Sequence, residues 1–175
     1  MSNHPIFIDN VAFAKKNERL VGSLTLADCP RLAELLQGAT KNVQSINNGA
    51  GLISYTLQGE TNSIGQHYLH LTLNASLTTA CQRCLQDMPL ELMLSFDYLI
   101  GEISDTEVGE GDIDGSDDVD LQEASQTMDI ITLIEDEIIM AMPIAPIHAE
   151  GCGVIVSQSG EKPNPFAVLK GLIKP

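Results

Sequence analysis

The sequence predicts an α+β fold: a single domain, residues 1–175, with a mostly antiparallel sheet covered by helices. Apolar and polar residues alternate along three successive segments, a pattern typical of strands with one buried face. Two further segments follow a capping residue, and the second of them also has the apolar stripe typical of an amphipathic helix. The length of 175 residues suits one domain with a sizeable core.

The N-terminal part is less regular. Ile6–Lys16 is mixed in character, and Leu20–Leu26 is predicted to be a strand. A short helix is expected at 30–37, because Asp28 can cap it and Pro30 suits the first helical turn.

The clearest pattern follows. Residues 51–58, 67–79 and 90–100 each alternate apolar with polar side chains, which predicts three antiparallel strands. Cys81 and Cys84 fall in the turn between the second and third of these strands.

The C-terminal half is acidic. Residues 102–124 are predicted to be a flexible acidic insert, because so few apolar residues cannot offset the entropy of ordering. Asp129 is expected to cap a helix over 130–142, with its glutamates and Asp136 towards the polar side. A last short helix is predicted over Phe166–Leu172.

Charge is distributed unevenly along the chain. The formal net charge is −15, and residues 84–161 contain 19 Asp and Glu but no Lys or Arg. Such a surface repels a phosphate backbone and attracts a basic protein. The composition therefore disfavours direct RNA binding.

Four residues have the spacing of a metal site. Cys81 and Cys84 form a Cys-x-x-Cys pair, and His148 and Cys152 lie four positions apart downstream. A structural zinc ion takes four such ligands, so these residues are a candidate zinc site if the fold brings them together. Two alternatives remain open: a redox dithiol with a thiol pKa lowered by Arg83, and a reduced pair without metal.

No catalytic motif is apparent, so no catalytic residue and no small-molecule substrate are assigned. The acidic run Asp112–Glu123 imitates a calcium loop, but Asp117 stands where that loop requires glycine. The chain has no segment with the features of a signal peptide or a membrane span. We expect a cytoplasmic protein with no membrane partner.

Four motifs in order carry a family resemblance. They are Cys-Gln-Arg-Cys at 81–84, Leu-Ile-Glu-Asp-Glu-Ile-Ile at 133–139, the Pro143, Pro146 and His148 turn, and Lys-Pro-Asn-Pro-Phe-Ala-Val-Leu at 162–169. Together they resemble the YceD-like family, the bacterial large ribosomal RNA subunit accumulation proteins. The resemblance implies a non-enzymatic cytoplasmic role in synthesis, processing or stability of 23S ribosomal RNA.

Charge and resemblance together lead to a partner hypothesis. We expect the protein to bind a basic ribosomal protein or assembly factor through the surface of residues 102–137, including Glu135, Asp136 and Glu137, and to affect ribosomal RNA indirectly. Asn164, Pro165 and Phe166 are expected either to close onto the sheet or to bind a partner. The alternatives are a zinc-stabilised interaction module unrelated to ribosomes, and a dithiol oxidoreductase.

Overall fold

The computed structural model describes residues 6–39, 51–101, 119–149 and 152. Its strands are β1 (Phe7–Ile8), β2 (Arg19–Thr25), β3 (Leu52–Thr61), β4 (His67–Ala80), β5 (Asp87–Gly101), β6 (Val119–Glu123) and β7 (Met128–Asp129). Its helices are α1 (Asn10–Lys15), a 3₁₀ turn (Leu26–Asp28), α2 (Pro30–Ala39) and α3 (Ile130–Ala141). This architecture confirms the predicted α+β class.

The main sheet has five strands in the order β2-β3-β4-β5-β6. The first four strands pair antiparallel, and the β4–β5 ladder runs from His67 opposite Ile100 to Ala80 opposite Asp87. The three strands predicted from alternation are all present. β3 begins one residue later and ends three later than predicted, β4 ends one later, and β5 begins three earlier and ends one later. A separate two-stranded sheet pairs β1 with β7.

The core lies between one face of the main sheet and the helices. The apolar residues of β3 and β4 that alternate in sequence are almost completely buried, and so is the stripe of α3. The most deeply buried large residues include Leu32, Leu36, Ile53, Leu57, Leu69, Leu71, Leu73, Ile130, Ile134 and Ile138. Each such side chain stabilises the fold by roughly 1.5–3 kcal/mol relative to an exposed one.

Helix α1 packs directly on the backbone of β3. A Cβ atom added at Gly59 would lie 2.7 Å from the Ala14 Cα and 2.7 Å from the Phe13 carbonyl oxygen. The Gly59 N–H also donates to the Glu18 carbonyl at 2.9 Å. Only glycine allows this close approach of helix and strand.

The prediction that Asp28 caps α2 is wrong. Asp28 instead closes the preceding 3₁₀ turn, where its carboxylate accepts hydrogen bonds from the backbone N–H and the hydroxyl of Thr25, both at 2.8 Å. Asp129 does cap α3, since its carboxylate accepts from the Ile131 N–H at 3.0 Å. Helix α3 ends one residue earlier than predicted, before Pro143.

The prediction of a flexible insert over 102–124 is wrong at its C-terminal end. Residues 119–123 form β6, which pairs parallel with residues 97–101 of β5. Backbone pairing with a sheet edge does not need apolar side chains, and the buried Asn10 holds the end of this segment. Its amide donates to the Glu123 carbonyl at 2.8 Å and accepts from the Ser125 N–H at 3.0 Å. Residues 102–118 lie outside the described part.

Two other predictions also concern residues that the structure does not describe. The helix expected over Phe166–Leu172 and the segment Asn164–Phe166 both fall there. Within the described ranges, no helix combines the length and the apolar character needed to cross a membrane.

Candidate metal centre

The first two sulfur atoms of the site come from the turn between β4 and β5. The Leu85 N–H donates to the Cys81 carbonyl at 2.9 Å, and the Cys81 N–H donates to the Gln86 carbonyl at 2.9 Å. Leu85 takes a positive φ of 58°, which is uncommon for a residue other than glycine. These bonds close a tight turn that directs both thiols to the same side.

The other two side chains come from the segment after α3. The proline-rich chain leaves the helix and reaches the turn, where the Gln82 N–H donates to the Pro146 carbonyl at 2.8 Å. His148 lies two residues beyond this bond, and Cys152 follows. A backbone hydrogen bond therefore fixes the segment against the Cys81–Cys84 turn.

The four side chains converge. Their ligand atoms all lie within 4.8 Å of one another. The Cys81 and Cys152 sulfurs are 3.2 Å apart, and the Nδ1 atom of His148 lies 3.5 Å from the Cys84 sulfur and 3.3 Å from the Cys152 sulfur. Ligands of a tetrahedral zinc ion at 2.0–2.3 Å lie about 3.5–3.8 Å from each other. The Cys81, Cys84, His148 and Cys152 cluster thus has the dimensions of a metal centre.

The surroundings favour a thiolate at Cys81. Burial alone would raise its pKa, but backbone N–H groups of Cys84, His148 and Arg83 donate to its sulfur, and the net effect lowers the pKa to about 5. The pKa of Cys152 is raised, chiefly because its thiol hydrogen-bonds to Cys81. The surroundings of Cys81 therefore favour the deprotonated sulfur that a bound cation requires.

The fourth cysteine has a different environment. Cys29 is fully buried in the core, where desolvation and the nearby charges of Glu135 and Asp28 raise its pKa to about 12. Cys29 therefore stays a neutral thiol and packs as a small apolar side chain.

Glu135 is not part of an exposed acidic surface, so that prediction is wrong. Its side chain is only 3% exposed, and one carboxylate oxygen accepts from the N–H groups of Arg31 and Leu32 at 2.9 and 3.1 Å. These are orphan donors at the start of α2. The carboxylate is buried because α2 packs its N-terminus against the polar side of α3.

Its two neighbours also bond to other parts of the chain. Asp136 forms an ion pair with Arg31 at 2.6 Å, and Glu137 accepts a hydrogen bond from the Tyr98 hydroxyl at 2.8 Å. Burial and this bond raise the pKa of Tyr98. The three successive carboxylates therefore point to three different partners, as helical geometry requires, and Asp136 stays about half exposed.

Sequence reasoning missed a charged cluster on the outer face of the sheet. His70 lies between two carboxylates, with Nδ1 at 2.5 Å from Asp97 and Nε2 at 3.3 Å from Glu60. The strand register places His70 opposite Asp97. Aligning the two predicted strands from their shared turn would have found that pair.

The fold and the four converging side chains define a small α+β protein with a Cys₃His cluster that could hold a metal ion. Over residues 69–173 the chain matches the family model described as "Large ribosomal RNA subunit accumulation protein YceD". That match covers more than half of the chain, so the protein belongs to the YceD family, as the motifs predicted.

A curated relative agrees with this assignment. The chain is 23% identical over 178 residues to the "Large ribosomal RNA subunit accumulation protein YceD" of Haemophilus influenzae, and the alignment covers 96% of this chain and 95% of the relative. No solved structure matches the chain.

Proposed function

We propose that this protein supports the accumulation of large-subunit ribosomal RNA as a non-enzymatic cytoplasmic binding factor. Family membership over residues 69–173 is the observation that carries the proposal. The name of the Haemophilus influenzae relative refers to the same process, the accumulation of large-subunit ribosomal RNA. The net charge of −15 supports an indirect role, because an acidic protein is repelled by bare RNA.

The partner we propose is a basic ribosomal protein or assembly factor. Because Glu135 is buried, we place the contact surface on the main sheet instead of on α3. The outer face of the main sheet supports this, because Glu60, Glu91 and Glu123 are exposed there. Complementary charge would accelerate the encounter and make binding sensitive to salt.

Two measurements test the role. Loss of the gene should lower the ratio of large-subunit to small-subunit ribosomal RNA, and the wild-type chain should restore it. Affinity capture at low salt should recover a basic protein, and the double charge reversal Glu60→Lys and Glu91→Lys should weaken that capture. Tight binding of bare ribosomal RNA at physiological salt would contradict the indirect mechanism.

We propose further that the Cys₃His centre binds a structural zinc ion. Three thiolates and one imidazole are a soft ligand set that suits zinc, and four protein ligands leave no open position for catalysis. The metal would join the β4–β5 turn to the segment after α3. Its role would be to hold that segment in place, whichever partner the protein binds.

Metal analysis of protein purified without chelator tests this. We expect about one zinc per chain and a lower Tm after chelation. Cys84→Ser should lose the zinc, whereas Cys29→Ser is the matched control, since Cys29 is buried elsewhere in the core. Full zinc content in Cys84→Ser would contradict the assignment.

The dithiol oxidoreductase alternative has less support. Cys81 is fully buried, and the Cys-x-x-Cys pair lies in a turn between two strands. A reactive dithiol usually occupies the exposed N-terminus of a helix.

A further inference from the structure

The Cys81–Cys152 pair combines short distance with unequal exposure. The two sulfurs are 3.2 Å apart, although the residues are 71 positions apart in sequence. Cys81 is fully buried, whereas Cys152 is partly exposed. A disulfide has an S–S bond of about 2.05 Å, so the sulfurs need to approach by roughly 1 Å to bond.

We propose that this pair is a site of reversible oxidation, at which a peroxide converts the metal-binding centre into a Cys81–Cys152 disulfide. The proposal rests on the metal site proposed above. The partly exposed Cys152 thiol loses its proton as its sulfur attacks one peroxide oxygen; it becomes a sulfenic acid, and the other peroxide oxygen leaves as water. The Cys81 thiolate then attacks that sulfur and expels the second oxygen as water. Two thiols lose two electrons, and hydrogen peroxide is reduced to two waters.

The geometry predicts which disulfide forms. Cys81 and Cys152 are in direct contact with each other. The long-range disulfide is therefore expected in preference to the local Cys81–Cys84 one.

Oxidation would remove the metal but keep a link between the β4–β5 turn and the segment after α3. After the disulfide forms, only Cys84 and His148 remain as ligands, too few for a structural zinc site. The new covalent bond still joins the same two segments, and the Gln82 to Pro146 hydrogen bond at 2.8 Å can persist. The protein would release zinc under oxidation without losing its fold.

The test treats full-length, zinc-loaded protein with a small excess of hydrogen peroxide. We expect release of about one zinc per chain, a Cys81–Cys152 disulfide in the non-reduced peptide map, and recovery of zinc binding after thiol reduction. Cys29→Ser is the matched control and should behave like the wild type. Cys152→Ser should not form the disulfide.

The outcomes separate the two proposals. A predominant Cys81–Cys84 disulfide, or zinc retained while the thiols stay reduced, would overturn the oxidation site and leave the zinc assignment intact. If purified protein contains no zinc, the metal assignment fails. The oxidation site then depends on the peptide map alone, and a Cys81–Cys152 disulfide would still support it. Cys152→Ser also removes a proposed zinc ligand and so could lose its disulfide through metal loss alone. Cys84→Ser therefore serves as a second variant: it should lose the zinc but still form the Cys81–Cys152 disulfide.

Discussion

Replacing Glu135 by alanine removes the acceptor for two backbone N–H groups at the start of α2, those of Arg31 and Leu32. The Leu32 bond is buried and the Arg31 bond is partly buried. A buried donor left unpaired costs about 1–3 kcal/mol. We assign about 1 kcal/mol to the unpaired Arg31 N–H and about 2 kcal/mol to the unpaired Leu32 N–H. The free energy of unfolding should therefore fall by about 3 kcal/mol.

The assay is urea and thermal unfolding followed by circular dichroism. For a chain of 175 residues, a loss of about 3 kcal/mol lowers Tm by roughly 6–12 °C. Glu135→Gln keeps one carbonyl acceptor and loses the charge beside the helix N-terminus, so it should cost only about 1 kcal/mol.

The matched control is Glu34→Ala. Glu34 lies on α2, the helix that Glu135 caps, but its side chain is exposed. Its loss should change the free energy of unfolding by no more than about 0.5 kcal/mol. If Glu135→Ala destabilises the protein no more than Glu34→Ala does, the claim that Glu135 stabilises the start of α2 is wrong.

Three further predictions concern stability. Gly59→Ala should destabilise the protein by about 2 kcal/mol or more, because the new Cβ would meet helix backbone; Gly101→Ala, which meets only a leucine methyl at 3.2 Å, should cost less. Asn10→Ala should cost about 1–3 kcal/mol in the free energy of unfolding, since it leaves two partly buried backbone groups unpaired, and chemical denaturation would measure this. Folding raises the pKa of Tyr98 above its unfolded value of 10.0. The contribution of Tyr98 to the free energy of unfolding is therefore complete below pH 10.0 and is lost as the pH rises above that value. Stability measured from pH 8 to 11 should therefore fall less steeply in Tyr98→Phe, and an unchanged slope would contradict this.

The parts that were predicted correctly depend on local pattern. Strands β3, β4 and β5 follow from strict alternation, because a period of two has one structural meaning. Asp129 was identified as a cap because its partner amide, that of Ile131, is only two residues away. The convergence of His148 with the Cys81–Cys84 turn was a hypothesis, since spacing supplies the ligands but not the path of the chain between them.

The parts that were missed depend on distant partners. Glu135 reaches amides that are 103 and 104 residues away in sequence. Asp28 is a residue type that often caps helices, but its carboxylate accepts a hydrogen bond from Thr25, three residues earlier, and not from α2. The acidic side chains of β6 gave no strand pattern in the sequence. Its pairing depends instead on backbone hydrogen bonds and on the buried Asn10 far upstream.

The separation of the ligands also has a kinetic consequence. Cys81 and Cys84 are brought together by a local turn, while Cys152 is 71 positions away from Cys81 and must wait for a large loop to close. Loop closure of that size is slow and entropically unfavourable. If the proposed zinc binds, its coordination by all four residues can be complete only once the sheet and α3 have assembled, so complete coordination would report the final stage of folding.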